Sequence, residues 1–458
     1  MTTRHLHAPR IDFTALRREL ELPTEFPAAA QSAAEAAAQR EWNDRPDRTD
    51  IPFVTVDPAT SRDLDQALHL EKTDDGYRVR YAIADVGAFI TPGDPLDVEA
   101  NRRGQTIYLP DGKVPLHPPV LSEGAASLLP DQTRPAVVWT IDVTNTGEAG
   151  LHSLERALVR SRAKLSYPQV QQNQDLVPLL PEIGKLLIEQ ALERGAIDLP
   201  IPDQEIEPDG TTWRLTLQAP LPVEEWNAQI SLLTGRIAAR LMLDKGTGLL
   251  RTMPPAPKQA VDTLRKAARA LRIDWPRDES VGRLLARLRP AEPRDAAFVQ
   301  QAADLLRGAA YTAFHQTEPE HKIHAGVAAP YAHVTAPLRR LADRYATEIC
   351  LALYNGETPR TENLDELPKT MARTDRTANA ADRAAVDLVE AVLLEHRVGE
   401  TFDAAVLDVD GKRATVALDE PPVRARCDGQ LTLGERTRVQ LIEATPATRT
   451  VRFAPGLV

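Results

Sequence analysis

Residues 55–68 read TVDPATSRDLDQAL and carry three aspartates, Asp57, Asp63 and Asp65, between two strand-like runs. Asp57 ends the first run, whereas Asp63 and Asp65 are two residues apart, so their side chains point to the same face of an extended segment. Three carboxylates that converge on one point repel one another unless a hard cation neutralises them, and oxygen-only ligands suit Mg²⁺ or Mn²⁺. The spacing alone is also typical of loop caps and solvated surface, so the metal hypothesis needs support from the rest of the chain.

The secondary-structure pattern changes along the chain around these aspartates. Alternating apolar residues predict strands at residues 53–56, 67–70, 77–83 and 136–143. After residue 180, apolar residues recur every three or four positions, which predicts helices over residues 223–243, from Pro337 to about residue 355, and over residues 377–395. The sequence therefore predicts a mixed fold, α+β or α/β, in which the aspartates lie at the β-rich end.

Two small elements flank this mixed segment. Residues 1–48 predict a helical element with helices over 13–22 and 28–42 that are separated by prolines. Residues 400–458 contain five short strand-like runs, which suit a small all-β OB-type barrel. We therefore predict three parts, with boundaries at 1–48, 49–398 and 399–458.

Composition excludes several classes of protein. The chain has 458 residues, of which 42% are hydrophobic and 26% charged, so it has enough apolar surface to bury a core. The net charge of −11 argues against non-specific coating of nucleic acid, but it allows a locally basic channel. Cys350 and Cys427 are too few for a disulfide framework or a cysteine-rich zinc site. Because no signal peptide or membrane span is evident, we expect a cytoplasmic protein without a membrane partner.

Two adjacent arginines, Arg339 and Arg340, lie at the start of the helix that is predicted to open at Pro337. The N-terminus of a helix favours anions, and a guanidinium binds phosphate through two parallel hydrogen bonds. With Arg344 on the same helix, the alternative is a solvated face that pairs with Asp343, but the position near the helix N-terminus favours binding of phosphate groups of a substrate.

Four further stretches carry a family resemblance. They are IADVGAFI at 83–90, RRGQTIYLPD at 102–111, PPVLSE at 118–123 and YAHVTAPLRRLAD at 331–343. In this order, and together with the aspartates of residues 55–68, the set resembles the ribonuclease II / ribonuclease R (RNB) family of 3′-to-5′ exoribonucleases. The resemblance implies an RNB-type catalytic domain over residues 49–398, followed by an RNA-binding barrel.

The resemblance also implies an activity and a set of site residues. The expected reaction is metal-dependent hydrolysis of single-stranded RNA from its 3′ end to 5′-mononucleotides, by an enzyme that we expect to be a monomer. By this resemblance Asp57, Asp63 and Asp65 hold Mg²⁺, or Mn²⁺, and Arg339 contacts the scissile phosphate. Substrate contacts are expected from Tyr108, which would stack on the RNA, from Tyr167 and Glu225, and from Arg340.

Two departures from the family pattern keep alternatives open. Gln66 stands where the family usually has a fourth aspartate, so the site carries one negative charge less. Residues 1–48 are too short for the cold-shock domains that commonly precede the catalytic domain. The alternatives are a catalytically impaired RNA-binding relative and a single-strand DNA exonuclease.

Overall fold

The structure is a computed structural model that describes residues 6–9, 11–209 and 212–456. The chain forms two closed β-barrels that are separated by a mainly helical segment. Within the described ranges, no helix is both long enough and apolar enough to cross a membrane.

The N-terminal element contains a strand as well as helices, so the prediction of a purely helical element is wrong in this respect. Strand β1 (Leu6–Pro9) precedes helices α1 (Thr14–Glu19) and α2 (Ala28–Ala37). The strand exists only because it pairs with a strand at residues 212–215, far along the chain. Helix α2 ends five residues before the predicted Trp42, whose ring packs edge-on against Phe89 at 5.1 Å between centroids. This tertiary contact draws the chain away from the helix axis.

The first barrel lies in the predicted β-rich segment. In chain order the segment contains β2 (Phe53–Asp57), β3 (Gln66–Thr73), β4 (Gly76–Ala84), α3 (Pro95–Arg103), β5 (Ile107–Leu109), β6 (Gly112–Val114), β7 (Thr133–Thr144) and β8 (Ala149–Ser166). Strands β2, β3, β4, β7 and β8 close into the barrel, and β5 and β6 form a separate hairpin. All four predicted strands are confirmed, each slightly longer than the pattern indicates. Strand β2 runs parallel to β8, which places Asp57 opposite Ser166.

Helices dominate the middle of the chain. They are α4 (Tyr167–Gln172), α5 (Leu180–Arg194), α6 (Pro222–Lys245), α7 (Lys258–Ala270), α8 (Val281–Arg287), α9 (Pro293–Ala302), α10 (Leu341–Tyr354) and α11 (Leu367–Leu394). The strands among them are β9 (Asp203–Asp209), β10 (Thr212–Gln218), β11 (Thr247–Thr252), β12 (Ala310–His315), β13 (Ile323–His324) and β14 (Ala329–Pro330). Helix α6 buries the predicted face, including Trp226, Ile230 and Leu233. Helix α11 begins ten residues before the predicted start.

The helix predicted to open at Pro337 begins instead at Leu341. The backbone N–H groups of Arg339 and Arg340 both donate to Ala336 O, which forms a turn. Arg340 then adopts an extended conformation, with φ −134° and ψ 124°. The two arginines precede the helix because their backbone pairs with residues 104–106: the Thr106 N–H donates to Arg339 O and the Leu341 N–H donates to Gly104 O, each at 2.9 Å.

The second barrel confirms the five predicted C-terminal strands. They are β15 (Thr401–Asp410), β16 (Arg413–Leu418), β17 (Arg424–Asp428), β18 (Arg436–Thr445) and β19 (Thr450–Pro455), and they close in the order β15-β16-β17-β19-β18. The core of this barrel is continuous with α11 and with the N-terminal element, since Phe453, Leu394 and Phe13 belong to one hydrophobic cluster. The barrel is thus packed onto the remainder of the chain.

Helix α6 and the segment that begins at Tyr331 approach each other closely at Gly235. The backbone N–H of Ala332 donates to Gly235 O at 3.1 Å. A Cβ atom at Gly235 would lie 2.2 Å from Tyr331 Cε2 and 2.5 Å from Ala332 O. Only glycine fits this position without movement of the segment that leads to Arg339.

We expect Gly235→Ala to lower the free energy of unfolding by about 1–3 kcal/mol, because overpacking outweighs the roughly 1 kcal/mol by which alanine favours a helix. Urea denaturation measures the change. The matched control is Gly150→Ala, where a Cβ atom has nothing within 4 Å. Equal stability of the Gly235 variant and the wild type would show that α6 and the Tyr331 segment are not in tight contact.

Candidate active site

The loop that carries the three aspartates starts where β2 ends and is fixed by a lysine. Lys164 Nζ, on the adjacent strand β8, donates to Ala59 O at 2.7 Å and to Ser61 O at 2.5 Å. The parallel pairing of β2 with β8 brings the lysine to this loop. Asp57 is therefore followed by a turn whose carbonyl groups are bound by a cation.

The second half of the loop is fixed by a serine and a buried leucine. Ser127 Oγ accepts the backbone N–H of Leu64 at 2.9 Å and donates to Arg62 O at 2.7 Å. Leu64 is fully buried. Asp63 and Asp65 flank this leucine and, unlike it, contact polar groups.

Residues 335–339 lie directly against this loop. Asp65 Oδ1 accepts the backbone N–H of Leu338 at 2.7 Å, and Asp65 Oδ2 lies 3.6 Å from Arg339 Nε. Gln66 Nε2 donates to Thr335 O. The structure thus joins the aspartate loop and the arginine segment, 273 positions apart in sequence, through adjacent side chains.

Burial raises the pKa values of two of the aspartates. Asp65 is 4% exposed, and burial is the main cause that raises its pKa to about 8, against the opposing charge of Arg339. Burial also raises the pKa of Asp57 to about 6, again opposed mainly by Arg339. Asp57 Oδ2 is buried and has no hydrogen-bond partner among the described residues. Both groups therefore favour a proton or a nearby cation over a bare negative charge.

The third aspartate, Asp63, is paired with cationic and hydroxyl groups from the β5–β6 hairpin. Lys113 Nζ lies 2.9 Å from Asp63 Oδ2 and 3.0 Å from Glu123 Oε1. Tyr108 OH donates to Asp63 Oδ2 at 3.5 Å, and Tyr108 is 51% exposed. The hairpin therefore places an accessible aromatic ring beside the carboxylates, as stacking on a base would require. The sequence analysis did not identify Lys113 or Glu123, although Glu123 lies within the PPVLSE stretch.

The donor set fits a divalent cation. Within the described residues, no three side chains of His, Cys, Asp or Glu are already grouped closely enough to hold a metal ion. The three aspartates nevertheless supply only hard oxygen donors, and the unpartnered Asp57 Oδ2 lacks a compensating group. Lys113 and Arg339 neutralise part of the charge in the structure.

Tyr167 lies in the same region, together with residues that the sequence analysis missed. Burial is the main cause that raises the pKa of Tyr167, and Asp57 adds to the shift. Asn227 of α6 hydrogen bonds to Tyr167 and donates to Val56 O at 3.4 Å. One turn further along α6, Ser231 Oγ and Tyr81 OH share a hydrogen bond at 2.8 Å. Tyr81 has a pKa that is raised first by burial and further by Asp57. The polar face of α6 could have indicated these contacts.

The structure does not bring Glu225 to the aspartates. Glu225 is exposed on α6, and its pKa is raised by burial first and then by Asp198 and Glu224. Two residues along a helix correspond to a rotation of about 200°, so Glu225 and the inward-facing Asn227 lie on opposite faces. Asn227, and not Glu225, is the α6 side chain that lies near Val56 and Tyr167.

Arg340 has a different environment from Arg339. Its Nε and a terminal nitrogen donate to the two carboxylate oxygens of Asp343, each at 2.9 Å. Asp343 is fully buried and also accepts the backbone N–H of Ala336 at 2.7 Å. The Arg339 side chain, by contrast, is 47% exposed. The structure therefore commits Arg340 to an internal ion pair and leaves Arg339 open to a substrate.

Comparison with protein families identifies the class of the fold. Residues 45–355 match the RNB domain, and residues 400–456 match the RNase II-type exonuclease C-terminal S1 domain. The first match covers the aspartate loop and Arg339, and the second covers the C-terminal barrel. The chain belongs to the RNB family, which confirms the resemblance and the fold expected from it.

Relatives with curated names are similar over most of this chain. It is 27% identical to Ribonuclease R of Escherichia coli (strain K12) over 447 residues, which cover 88% of this chain and 54% of the relative. It is 26% identical to the exosome complex exonuclease RRP44 of Homo sapiens over 375 residues, which cover 76% of this chain and 39% of the relative. The chain thus spans about half the length of the curated relatives it matches.

Solved structures share the fold. RNase R of Mycoplasma genitalium, in complex with ribose-methylated single-stranded RNA, superposes with a TM-score of 0.86 at 21% identity and covers 97% of this chain and 77% of that one. Yeast Ssd1, a pseudonuclease, superposes with a TM-score of 0.67 at 16% identity and covers 91% and 54%.

We expect Asp57→Asn to stabilise the metal-free protein at alkaline pH. The pKa of Asp57 is about 6 in the folded state and 3.8 as a free group, so the folded state binds the proton more tightly. This group therefore lowers stability as the pH rises from about 4 through 6, and asparagine removes the effect. The gain should be about 1–3 kcal/mol at pH 8 and near zero at pH 4.

Urea denaturation in the presence of a chelator at the two pH values measures this difference. Asp74→Asn, at an exposed turn position, is the matched control and should change stability equally little at both pH values. If the stability difference between the Asp57 variant and wild type does not vary with pH, the claim that Asp57 is a buried carboxyl group with a raised pKa is contradicted.

Proposed function

We propose that this chain is a metal-dependent 3′-to-5′ exoribonuclease that hydrolyses single-stranded RNA to 5′-mononucleotides. The observation that carries the proposal is the junction at Asp65, where the aspartate loop accepts the Leu338 N–H and lies beside the half-exposed Arg339. Membership of the RNB family supports this reaction, as do the exonuclease names of its relatives. The E. coli and human relatives are about twice as long or longer, so the activity of this shorter chain is our proposal.

We propose further that Asp57, Asp63 and Asp65 hold Mg²⁺, or Mn²⁺, as cofactor. When bound, the cation would supply Lewis-acid neutralisation of the charge on the phosphoryl oxygens. The raised pKa values of Asp57 and Asp65 support this assignment, because burial of the two carboxyl groups outweighs the opposing charge of Arg339.

The side chains around the carboxylates have distinct roles. Arg339 is held 3.6 Å from Asp65 but remains half exposed, so its donors are available to a phosphate oxygen on which charge develops. Tyr108 offers its exposed ring to the terminal bases, and stacking tolerates every base. Tyr167 and Asn227 fix the wall of the site next to Asp57.

Single-stranded RNA is the proposed partner because a solved structure of an RNase R of the same fold is a complex with ribose-methylated single-stranded RNA. A monomeric state and a cytoplasmic location remain predictions from the sequence. The impaired-relative alternative is less favoured, because Asp65 contacts the segment that carries Arg339 and Gln66 has a defined structural contact.

The test is to incubate the chain with 3′-phosphate-free single-stranded RNA, or with DNA of the same sequence, each labelled at the 5′ end, with and without Mg²⁺. We expect a ladder that shortens from the 3′ end for RNA only, with 5′-monophosphates as product. Asp65→Asn should lower the rate by more than tenfold, which is about 1.4 kcal/mol of barrier, while RNA binding persists. Equal degradation of DNA would favour the DNA exonuclease, and an inactive wild type would favour the impaired relative.

We expect Gln66→Asp, which restores the family's usual residue, to lower activity. A carboxylate cannot donate to Thr335 O, and it adds a negative charge beside the buried Asp65. Initial rates at saturating Mg²⁺ measure the effect, and Gln39→Asp at an exposed position is the control. A rise in activity for Gln66→Asp would instead show that Gln66 impairs the enzyme.

Arg339 and Arg340 should respond differently to removal. We expect Arg339→Ala to lower the single-turnover rate far more than RNA affinity, and Arg339→Lys to rescue it poorly, because a point charge does not replace the guanidinium fork. Arg340→Ala should lower the free energy of unfolding by about 3–5 kcal/mol, because it leaves the buried Asp343 unpaired. Equal losses of stability in the two alanine variants would refute the distinction.

A further inference from the structure

A second cavity lies apart from the carboxylates, among α5, α6, α8 and the chain around His324. Its volume is about 630 Å³. None of the three aspartates, Arg339, Tyr108 or Tyr167 lines it. Much of its wall is apolar and includes Leu187, Leu192, Leu232, Leu285 and Leu306. The size falls within the range of roughly 300–1,000 Å³ of small-molecule sites in proteins.

Two arginines of the cavity wall have no hydrogen-bond or ion-pair partner in the described part of the chain. Arg194 ends α5 and Arg236 lies in the middle of α6, and both line the cavity. Neither side chain makes a hydrogen bond or an ion pair within the described ranges, and Arg194 Nε is buried without a partner. Burial first, and then the like charge of Arg194, lower the pKa of Arg236 to about 10. The cavity wall therefore carries two partly buried positive charges that repel each other and have no paired counter-charge among the described residues.

This arrangement differs from that of several other buried or half-buried arginines, which pair with carboxylates. Arg103, Arg156 and Arg344, for example, each contact a carboxylate of Glu99, Asp85 or Asp97. Desolvated cations without a counter-charge cost free energy, and such a cost is offset when an anion binds between them. The pair thus has the electrostatics of an anion site.

The acidic residues of the same cavity form a separate group. Asp198, Glu224 and Glu225 also line it, and Asp198 and Glu225 are exposed. Besides burial, the pKa of Glu225 is raised by Asp198 and Glu224. Glu224 accepts the backbone N–H of Leu221 at 2.9 Å. None of these carboxylates lies within ion-pair distance of Arg194 or Arg236 in the part of the chain that the structure describes.

We propose that this cavity is a second, non-catalytic site that binds a nucleoside 5′-monophosphate, with its phosphate between Arg194 and Arg236. Two guanidiniums provide the paired donors that a phosphate monoester accepts. The cavity is much larger than a phosphate ion, and its leucine walls and the His324 ring offer an apolar surface to a base. The choice of ligand rests on the proposed function, since a nucleoside 5′-monophosphate is the product of that reaction.

The experiment titrates adenosine 5′-monophosphate, or inorganic phosphate, into the full chain by calorimetry with a chelator present. We expect saturable binding of the nucleotide and weaker binding of phosphate alone. Arg194→Gln and Arg236→Gln should each raise Kd by about tenfold or more, the loss expected for one charge-assisted contact. Arg236→Lys keeps the positive charge but loses the paired guanidinium donors, so it should give an intermediate Kd. It replaces Arg236→Gln in the test if the glutamine variant does not fold.

Two variants serve as controls. Arg240→Gln changes an exposed arginine of the same helix and should leave Kd unchanged. Arg339→Ala should also leave Kd unchanged, because it alters the carboxylate site alone. The proposal is overturned if Arg236→Gln binds like wild type, if phosphate binds as tightly as the nucleotide, or if only Arg339→Ala loses binding. The titration does not depend on exonuclease activity, so the two tests can fail separately. Nucleotide binding by a chain that does not degrade RNA would refute the proposed function alone. Degradation of RNA by a chain that does not bind the nucleotide would refute this inference alone.

Discussion

The hydrogen bond from the Leu338 N–H to Asp65 Oδ1 is the interaction on which the candidate site depends. It joins the aspartate loop of the first barrel to the segment that carries Arg339, and the parallel contact from Gln66 to Thr335 strengthens the junction. The start of α10 at Leu341 follows from a different contact, the backbone pairing of Arg339 and Leu341 with Gly104 and Thr106, which leaves Arg339 on a turn ahead of the helix. The Asp65 and Gln66 contacts then hold the acidic and basic halves of the site together.

Charge compensation explains how the other residues of the site are arranged. A buried carboxylate is costly unless a cation or hydrogen-bond donors accompany it. Lys164 therefore binds the carbonyl groups of the aspartate loop, Lys113 pairs with Asp63, and Arg339 lies beside Asp65. Asp57 Oδ2 is buried and has no hydrogen-bond partner among the described residues. In the proposed complex, the cation compensates the charge of the aspartates and the phosphate of the RNA compensates that of Arg339.

The sequence predicted most of this architecture, and the exceptions share one physical origin. The strands of both barrels were predictable because one face of each strand is buried, which produces alternation, and the aspartates and Arg339 were predictable from local spacing and motifs. Trp42, β1 and the start of α10 depend on contacts with distant segments, so local periodicity could not place them. Glu225 lies two residues before Asn227 on α6, and two residues along a helix place the side chains on opposite faces. The hydrogen bond from Gln66 to Thr335 O joins residues that are distant in sequence, so local pattern could not predict it.

Proton release on metal binding tests the central claim most directly, namely that buried, proton-binding aspartates form a divalent-cation site. Calorimetric titration of Mg²⁺ into the metal-free chain, in two buffers of different ionisation enthalpy, gives the number of protons released. Because the pKa of Asp65 is about 8, the account predicts release of about one proton per Mg²⁺ at pH 7 and much less at pH 9. Mg²⁺ binding without proton release at pH 7, or with the same release in Asp65→Asn, would contradict it.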